Sequence, residues 1–208
     1  YQTILILDEV QAGLGRTGKL WAFEHFDVVP DMVILAKGLS GGIYPISATV
    51  IDKKLESVFH EDPFIHISTS GGAELGCLVA KKVLEITADI EFLKGVNALS
   101  GLFTTAFQKL QKKHSKFFVG VRQKGLMMGL ELKDQWAGPV LTKTAYDNDI
   151  LLIYANNDTS VVQFLPPLIM DEKDVVFVIN QLDKALKAAK ILHPILKLKK
   201  SATAFFKP

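Results

Sequence analysis

Ile4, Leu5, Ile6 and Leu7 form an unbroken apolar run. Such runs suit strands covered on both faces, as in a parallel sheet, because no polar residue alternates with the apolar ones. Residues 11–20 are rich in glycine and read as a loop. A second short apolar strand at residues 32–35 is introduced by Pro30 and Asp31, and residues 47–51 give a third. After the pair Gly71 and Gly72, the residues Leu75, Leu78, Val79, Val83 and Ile86 fall on one helical face. This half of the chain predicts an α/β arrangement with a parallel sheet.

The pattern changes near Asp89. Phe92, Val96, Leu99, Phe103, Ala106 and Leu110 step by four and three, which predicts an amphipathic helix. Residues 117–121 and 126–132 read as strands joined through Gln123, Lys124 and Gly125, and a helix follows over 140–147. Two more strands, 150–154 and 161–165, end at Pro166 and Pro167, because proline cannot donate to a ladder. Asp171 is the expected N-cap of a last helix running to about residue 192, with Val175, Val178, Ile179, Leu182, Leu186 and Ala189 inward. The second half is α+β. The change of pattern divides the chain into 1–91, 92–195 and a tail, 196–208. The tail carries Lys197, Lys199, Lys200 and Lys207 with Phe205 and Phe206. A frayed terminus is the favoured reading and a membrane or partner patch the alternative.

At 208 residues, 49% hydrophobic and 22% charged, the chain has room for one globular domain or two small ones. A net charge of +2 leaves no strongly basic footprint, so nucleic acid is not expected as a partner. The uncharged stretch 38–51 is broken by Gly41, Gly42 and Pro45 and is too short to span a bilayer. Cys77 is the only cysteine, which points to a reducing, cytoplasmic compartment and to a small buried side chain rather than a catalytic thiol. The chain begins at Tyr1, not Met, and enters an apolar run at once, as a piece of something longer would.

Three nucleotide-binding motifs fail in context. The strand ending in Asp8 and Glu9 has Walker B form, Gly13, Gly15 and Gly18 have dinucleotide-fingerprint spacing, and Gly13 to Gly18 with Lys19 matches a P-loop. A P-loop needs a hydroxyl after its lysine, where Leu20 stands, and it precedes its acidic strand. The dinucleotide fingerprint opens a helix directly after a strand, whereas residues 8–12 intervene here.

Two strand ends fit a different chemistry. Pyridoxal phosphate uses a carboxylate to hold the proton on its ring nitrogen and a lysine amine to bind its aldehyde. Asp8 ends the first strand and Lys37 follows the second, where ligands of parallel sheets sit. Burial would help each, by keeping the carboxylate beside the ring and by lowering the lysine pKa. Asp8 as a loop cap, Glu9 as a surface charge and Lys37 as a turn lysine stay open on pattern alone.

Residues 7–48, LDEVQAGLGRTGKLWAFEHFDVVPDMVILAKGLSGGIYPISA, resemble the signature segment of class III aminotransferases, the ornithine, 4-aminobutyrate and putrescine type. The resemblance continues through HISTSGGAELGC, RQKGLMMGLEL and FLPPLIM, in order, to about residue 192. It implies a fold-type I pyridoxal-phosphate enzyme, represented by its C-terminal half. Residues 1–91 would belong to the large parallel-sheet domain and 92–195 form the small α+β domain. It implies a homodimer that moves an amino group from an amine or amino-acid donor to a keto acid. Asp8 would pair with the pyridinium nitrogen, Val10 pack on the ring and Gln11 bond near the phenolic oxygen. Lys37 would form the Schiff base and transfer the proton. Thr69, with Ser68 beside it, would reach the cofactor phosphate of the neighbouring subunit. No metal is implied.

The sequence departs from the family pattern at two places. Gln163 stands where many members have an arginine that grips a substrate carboxylate, which shifts the expectation toward an amine or diamine donor. Ala73 stands where an asparagine is common, which weakens a helix cap. The family's main phosphate cup and ring-stacking aromatic belong to the half not represented, so the chain alone is expected to be inactive and its open edges to favour self-association. A decarboxylase or racemase of the same fold, or a truncated product without activity, are the alternatives.

Overall fold

The computed structural model describes residues 3–62 and 64–205, with side chains to residue 198. They divide into two compact units, Tyr1–Val96 and Asn97–Pro208, so the division falls inside a helix, a few residues beyond the change of pattern.

In the first unit, β1 (Ile6–Asp8) pairs in parallel with β2 (Met32–Leu35), and β3 (Ala48–Ile51) pairs antiparallel with β2. The sheet is therefore mixed rather than parallel throughout. Residues 9–31 supply the long crossover that parallel pairing needs. Residues 36–47 instead turn back through Gly41 and Gly42, at φ +57° and +71°. Nor are the apolar runs covered on both faces, since Ile6 is 51% and Val50 55% exposed. Among the described residues its packing centres on a small cluster of Leu14, Leu35 and Leu39, joined by Trp21, Val33, Ala48, Ala80 and Val83. Asp31 ties the three strands at one end. Its carboxylate accepts the Leu5 N–H at 2.6 Å and pairs with Lys54, and its carbonyl accepts the Asp52 N–H at 2.8 Å. The Lys54 bond, then the Leu5 amide, hold the Asp31 carboxyl below the usual carboxylate range.

A short helix, α1 (Ser57–Glu61), precedes α2 (Glu74–Thr87). The sequence pattern turned Leu75, Leu78 and Ile86 inward, but Leu75 and Leu78 are 66% and 63% exposed and Ile86 is exposed too. The seated face carries Gly76, Ala80, Val83 and Thr87. Gly76 decides this rotation, because a Cβ there would lie 3.0 Å from the Tyr44 ring and 3.1 Å from Ile46. Cys77, expected to be buried, is exposed on the same helix. Ala73 caps α2 without a side-chain bond.

Helix α3 (Ile90–His114) leads into the second unit. There β4 (Phe118–Lys124), β5 (Met127–Leu132), β6 (Ile153–Tyr154) and β7 (Val161–Phe164) form an antiparallel sheet in the order β4-β5-β7-β6. Helix α4 (Ala137–Tyr146) packs on α5 (Glu172–Phe205) and on β6 and β7. The core is aromatic. Phe103 stacks on Phe107 at 5.7 Å, and both meet the Phe164 ring edge-on, at 5.1 and 5.2 Å. Phe107, not the expected Ala106, thus takes the buried position on α3.

Asp171 begins α5 as expected, accepting the Asp174 N–H at 3.0 Å. The helix does not stop near residue 192. It runs through Pro194, which removes one backbone bond without ending it, and takes the tail's backbone to Phe205. Phe206 lies outside the described residues. Two buried histidines fasten α5. His114 Nε2 meets Asp183 at 2.7 Å, and His193 Nε2 meets Asp134 at 2.8 Å. Burial raises the Asp134 carboxyl, but bonds from His193 and Lys197 outweigh it and hold the group at about 2. Asp183 is likewise desolvated and is held lower still by His114, Lys113 and Lys187. Among the described residues no helix is long and apolar enough to cross a membrane, and no cluster of His, Cys, Asp and Glu is built to hold a metal.

Two outcomes follow for the second unit. Phe107→Ala removes a ring that is 2% exposed and should destabilise the fold by about 3–5 kcal/mol, read as a lower urea midpoint. Both aspartates titrate below their ordinary value of 3.8 when folded, so the stability they contribute is complete above about pH 4 and is lost as pH falls toward 2. Urea titrations between pH 6 and pH 2 should show that loss, and Asp134→Asn should reduce it to the part that Asp183 contributes.

Candidate active site

Parallel pairing places the C-terminal ends of β1 and β2 at one edge of the sheet, with Asp8 opposite Ile34. Asp8 is the last residue of β1 and turns the chain by accepting the Val10 N–H on Oδ1 at 2.9 Å. Short acidic side chains stabilise turns in this way. Lys37 follows β2 and opens a 3-10 turn, Lys37–Ser40. Its φ is +45°, the left-handed region that costs a residue with a Cβ energy unless its surroundings impose it. The Lys37 amine donates to Gln11 Oε1 at 3.1 Å. A neutral amide oxygen locates an amine without adding a counter-charge.

The structure thus brings Lys37 to Gln11, and Asp8 to Val10, on neighbouring strand ends. It does not bury them: Asp8 and Lys37 are both exposed, and Val10 and Gln11 half-buried. The burial expected for the carboxylate and the amine is absent: the apolar cluster takes in Leu35 and Leu39 but leaves both side chains exposed. Ser68 and Thr69 are exposed in a turn before α2, in which the Gly71 N–H reaches the Ser68 carbonyl at 3.4 Å. Gln163 belongs to the second unit. It lies on β7 between Gly129 and Ile153, half-exposed, and lines a largely apolar cleft of about 600 Å³ with Ile150, Leu152, Phe164, Pro166 and Met170.

The glycine loop serves the same edge. The Gly15 N–H reaches the Leu20 carbonyl at 3.2 Å, and Gly15 and Gly18 both have φ +88°. Lys19, the P-loop-like lysine, donates to the Glu24 carbonyl at 2.6 Å. Glu9 is the residue that pattern reading missed. Read as a surface charge, it is 4% exposed and accepts the Ala22 and Phe23 N–H groups at 3.0 and 2.9 Å. The available signal was an acid beside Asp8, ahead of a loop that must close on a helical turn with unpaired N–H groups.

An exposed amine held by an amide, next to a carboxylate on a neighbouring strand end, suits an aldehyde-bearing, nitrogen-ring cofactor. The amine and the carboxylate present fit such a group at its aldehyde and ring nitrogen. Comparison with known proteins agrees with that chemistry. The chain is 50% identical over 186 residues to an uncharacterized aminotransferase of Archaeoglobus fulgidus, covering 89% of this chain and 44% of that protein. It is 42% identical to an acetylornithine aminotransferase of Caldanaerobacter subterraneus, covering 88% and 44%. A crystal structure of N-acetylornithine aminotransferase from Stenotrophomonas maltophilia matches with a TM-score of 0.76 at 34% identity, covering 89% of this chain and 47% of that one. The ornithine aminotransferase of Toxoplasma gondii matches with a TM-score of 0.81 at 28% identity, covering 90% and 44%. The chain therefore spans less than half the length of these relatives. Residues 1–186 match the class-III aminotransferase family, and the chain belongs to it.

Proposed function

We propose that this chain carries the lysine-bearing part of a pyridoxal-phosphate-dependent aminotransferase, which moves an amino group from an amine or amino-acid donor to a keto acid. The observation that carries the reading is the Lys37 amine, held by Gln11 at the strand edge that Asp8 shares. Pyridoxal phosphate, when bound, supplies an aldehyde and a ring that accepts an electron pair. Lys37 is the amine that bonds the aldehyde. Once released by the donor, its Nζ would carry the proton that leaves the donor's carbon. The Asp8 carboxylate would keep the ring nitrogen protonated, Val10 would lie against the ring, and Gln11 would orient the oxygen beside the aldehyde. Ser68 and Thr69 offer hydroxyls to the phosphate across a homodimer, a role that rests on the family resemblance.

The donor follows from Gln163. An amide cannot form the bidentate ion pair by which arginine holds a carboxylate. Without that pairing, an amine or diamine donor is favoured over one held by its carboxylate, a reading that rests on the family resemblance. A single exposed cysteine and the lack of a membrane-crossing helix among the described residues support a reducing, cytoplasmic setting. Because Asp8 and Lys37 are exposed, a second reading is favoured for the chain by itself: it captures the aldehyde without turning over.

Incubation with pyridoxal phosphate, borohydride reduction and peptide mass mapping tests the assignment. One stoichiometric adduct at Lys37, lost in Lys37→Ala, is expected. Partial labelling scattered over many lysines would sink it.

A further inference from the structure

Glu9 stands between Asp8 and Val10 and is 4% exposed. Glutamates are almost never buried to this extent unless their oxygens are paired. Every polar group of Glu9 is engaged. Oε2 accepts the Ala22 N–H at 3.0 Å and Oε1 the Phe23 N–H at 2.9 Å. Its own N–H donates to the Ile34 carbonyl at 3.0 Å, and its carbonyl accepts the Gly13 N–H at 3.0 Å. One residue thus joins the end of β1 to β2, to the start of the glycine loop and to the 3-10 turn Ala22–His25 where that loop ends. The loop leaves no slack beside it. A Cβ on Gly13 would lie 2.9 Å from the Glu9 carbonyl oxygen and 3.0 Å from the Trp21 ring.

Asp8 and Lys37 are exposed, so side-chain packing does not hold them. Their placement depends on the backbone that Glu9 fastens. The Val10 N–H that bonds the Asp8 carboxylate comes directly after Glu9, and Gln11, whose Oε1 takes the Lys37 amine, comes one residue later. The geometry points to Glu9 as the positioning residue of this site: it locks the glycine loop so that Asp8 and Gln11 keep their orientation toward the ligand of Lys37. The inference rests on the reading of Lys37 and Asp8 given above, and it assigns Glu9 no contact with substrate or cofactor.

Glu9→Gln preserves size but sets an NH2 group against one of two backbone N–H donors, which loses one bond and opposes two donors. Amide hydrogen exchange of the 208-residue chain, followed by NMR, reads the result without any cofactor. In Glu9→Gln, Ala22 and Phe23 should exchange faster, and Val10 and Gly13 with them, by about tenfold or more. The share of borohydride-trapped pyridoxal phosphate found at Lys37 should also fall about tenfold, since displacements on the order of an ångström carry penalties of this size. Lys143→Ala, which removes only an exposed ion pair on α4, should change neither readout. A folded Glu9→Gln protein whose Val10 and Gly13 amides exchange as in the wild type overturns the inference, even if Ala22 and Phe23 are loosened. Should Glu9→Gln not fold, Gly13→Ala disturbs the same carbonyl from the other side. It must then speed Val10 exchange, and no change there overturns the inference equally. Scattered labelling of the wild-type chain would remove the reading of Lys37, while the Val10 and Gly13 amides would still decide whether Glu9 positions the loop.

Discussion

Two strands that run in the same direction end at the same edge of their sheet. In this chain that constraint places a carboxylate and an amine from positions 29 residues apart, Asp8 and Lys37, at the same sheet edge. Everything local to the site depends on β1 and β2 keeping their parallel register. Asp31 fixes it at one end through the Leu5 amide, and Glu9 at the other through the Ile34 carbonyl. Both are acids at strand ends, and both work through backbone groups. Hydrogen bonds from backbone N–H groups to a carboxylate are among the stronger ones a small unit can make.

The two units are stabilised by different means. The second has a core of phenylalanines in edge and stacked contact, with α5 fastened by two histidine–aspartate pairs. The first has a small apolar cluster and leaves Ile6, Val50, Leu75 and Leu78 to solvent. Area removed from water is the main favourable term in folding. The first unit therefore depends more on its polar ties, and its geometry is correspondingly sensitive to single residues such as Glu9.

Much of this was legible in the chain itself. Strand ends next to Asp8 and Lys37 follow from apolar runs, and the helical spacing of Val96, Leu99, Phe103 and Leu110 matches the buried face of α3. Periodicity could not say which apolar stripe is seated when a helix has two. On α2 the decision belongs to Gly76, whose missing Cβ admits Tyr44, and on α3 to Phe107, which out-competes Ala106 by size. The direction of β3 was hidden because strands of either direction share one composition, and only the turn at Gly41 and Gly42 reverses the chain. The burial of Glu9 was hidden because an acid beside an acid reads as solvent-facing, whereas its partners are backbone N–H groups that carry no sequence signature. Lys37 and Asp8 were legible by position. Ser68, Thr69 and Gln163 are proposed from resemblance alone, since nothing in their spacing marks them.

The backbone at Lys37 has a consequence on an evolutionary timescale. A residue with a Cβ in the left-handed region is held at a cost that glycine avoids. In this chain by itself the Lys37 side chain is exposed and returns little to packing. In a lineage released from the need for that amine, drift at this codon would run toward glycine or asparagine, with the fold gaining rather than losing. What this position supplies is its amine, and the torsion angle carries the cost of having one there.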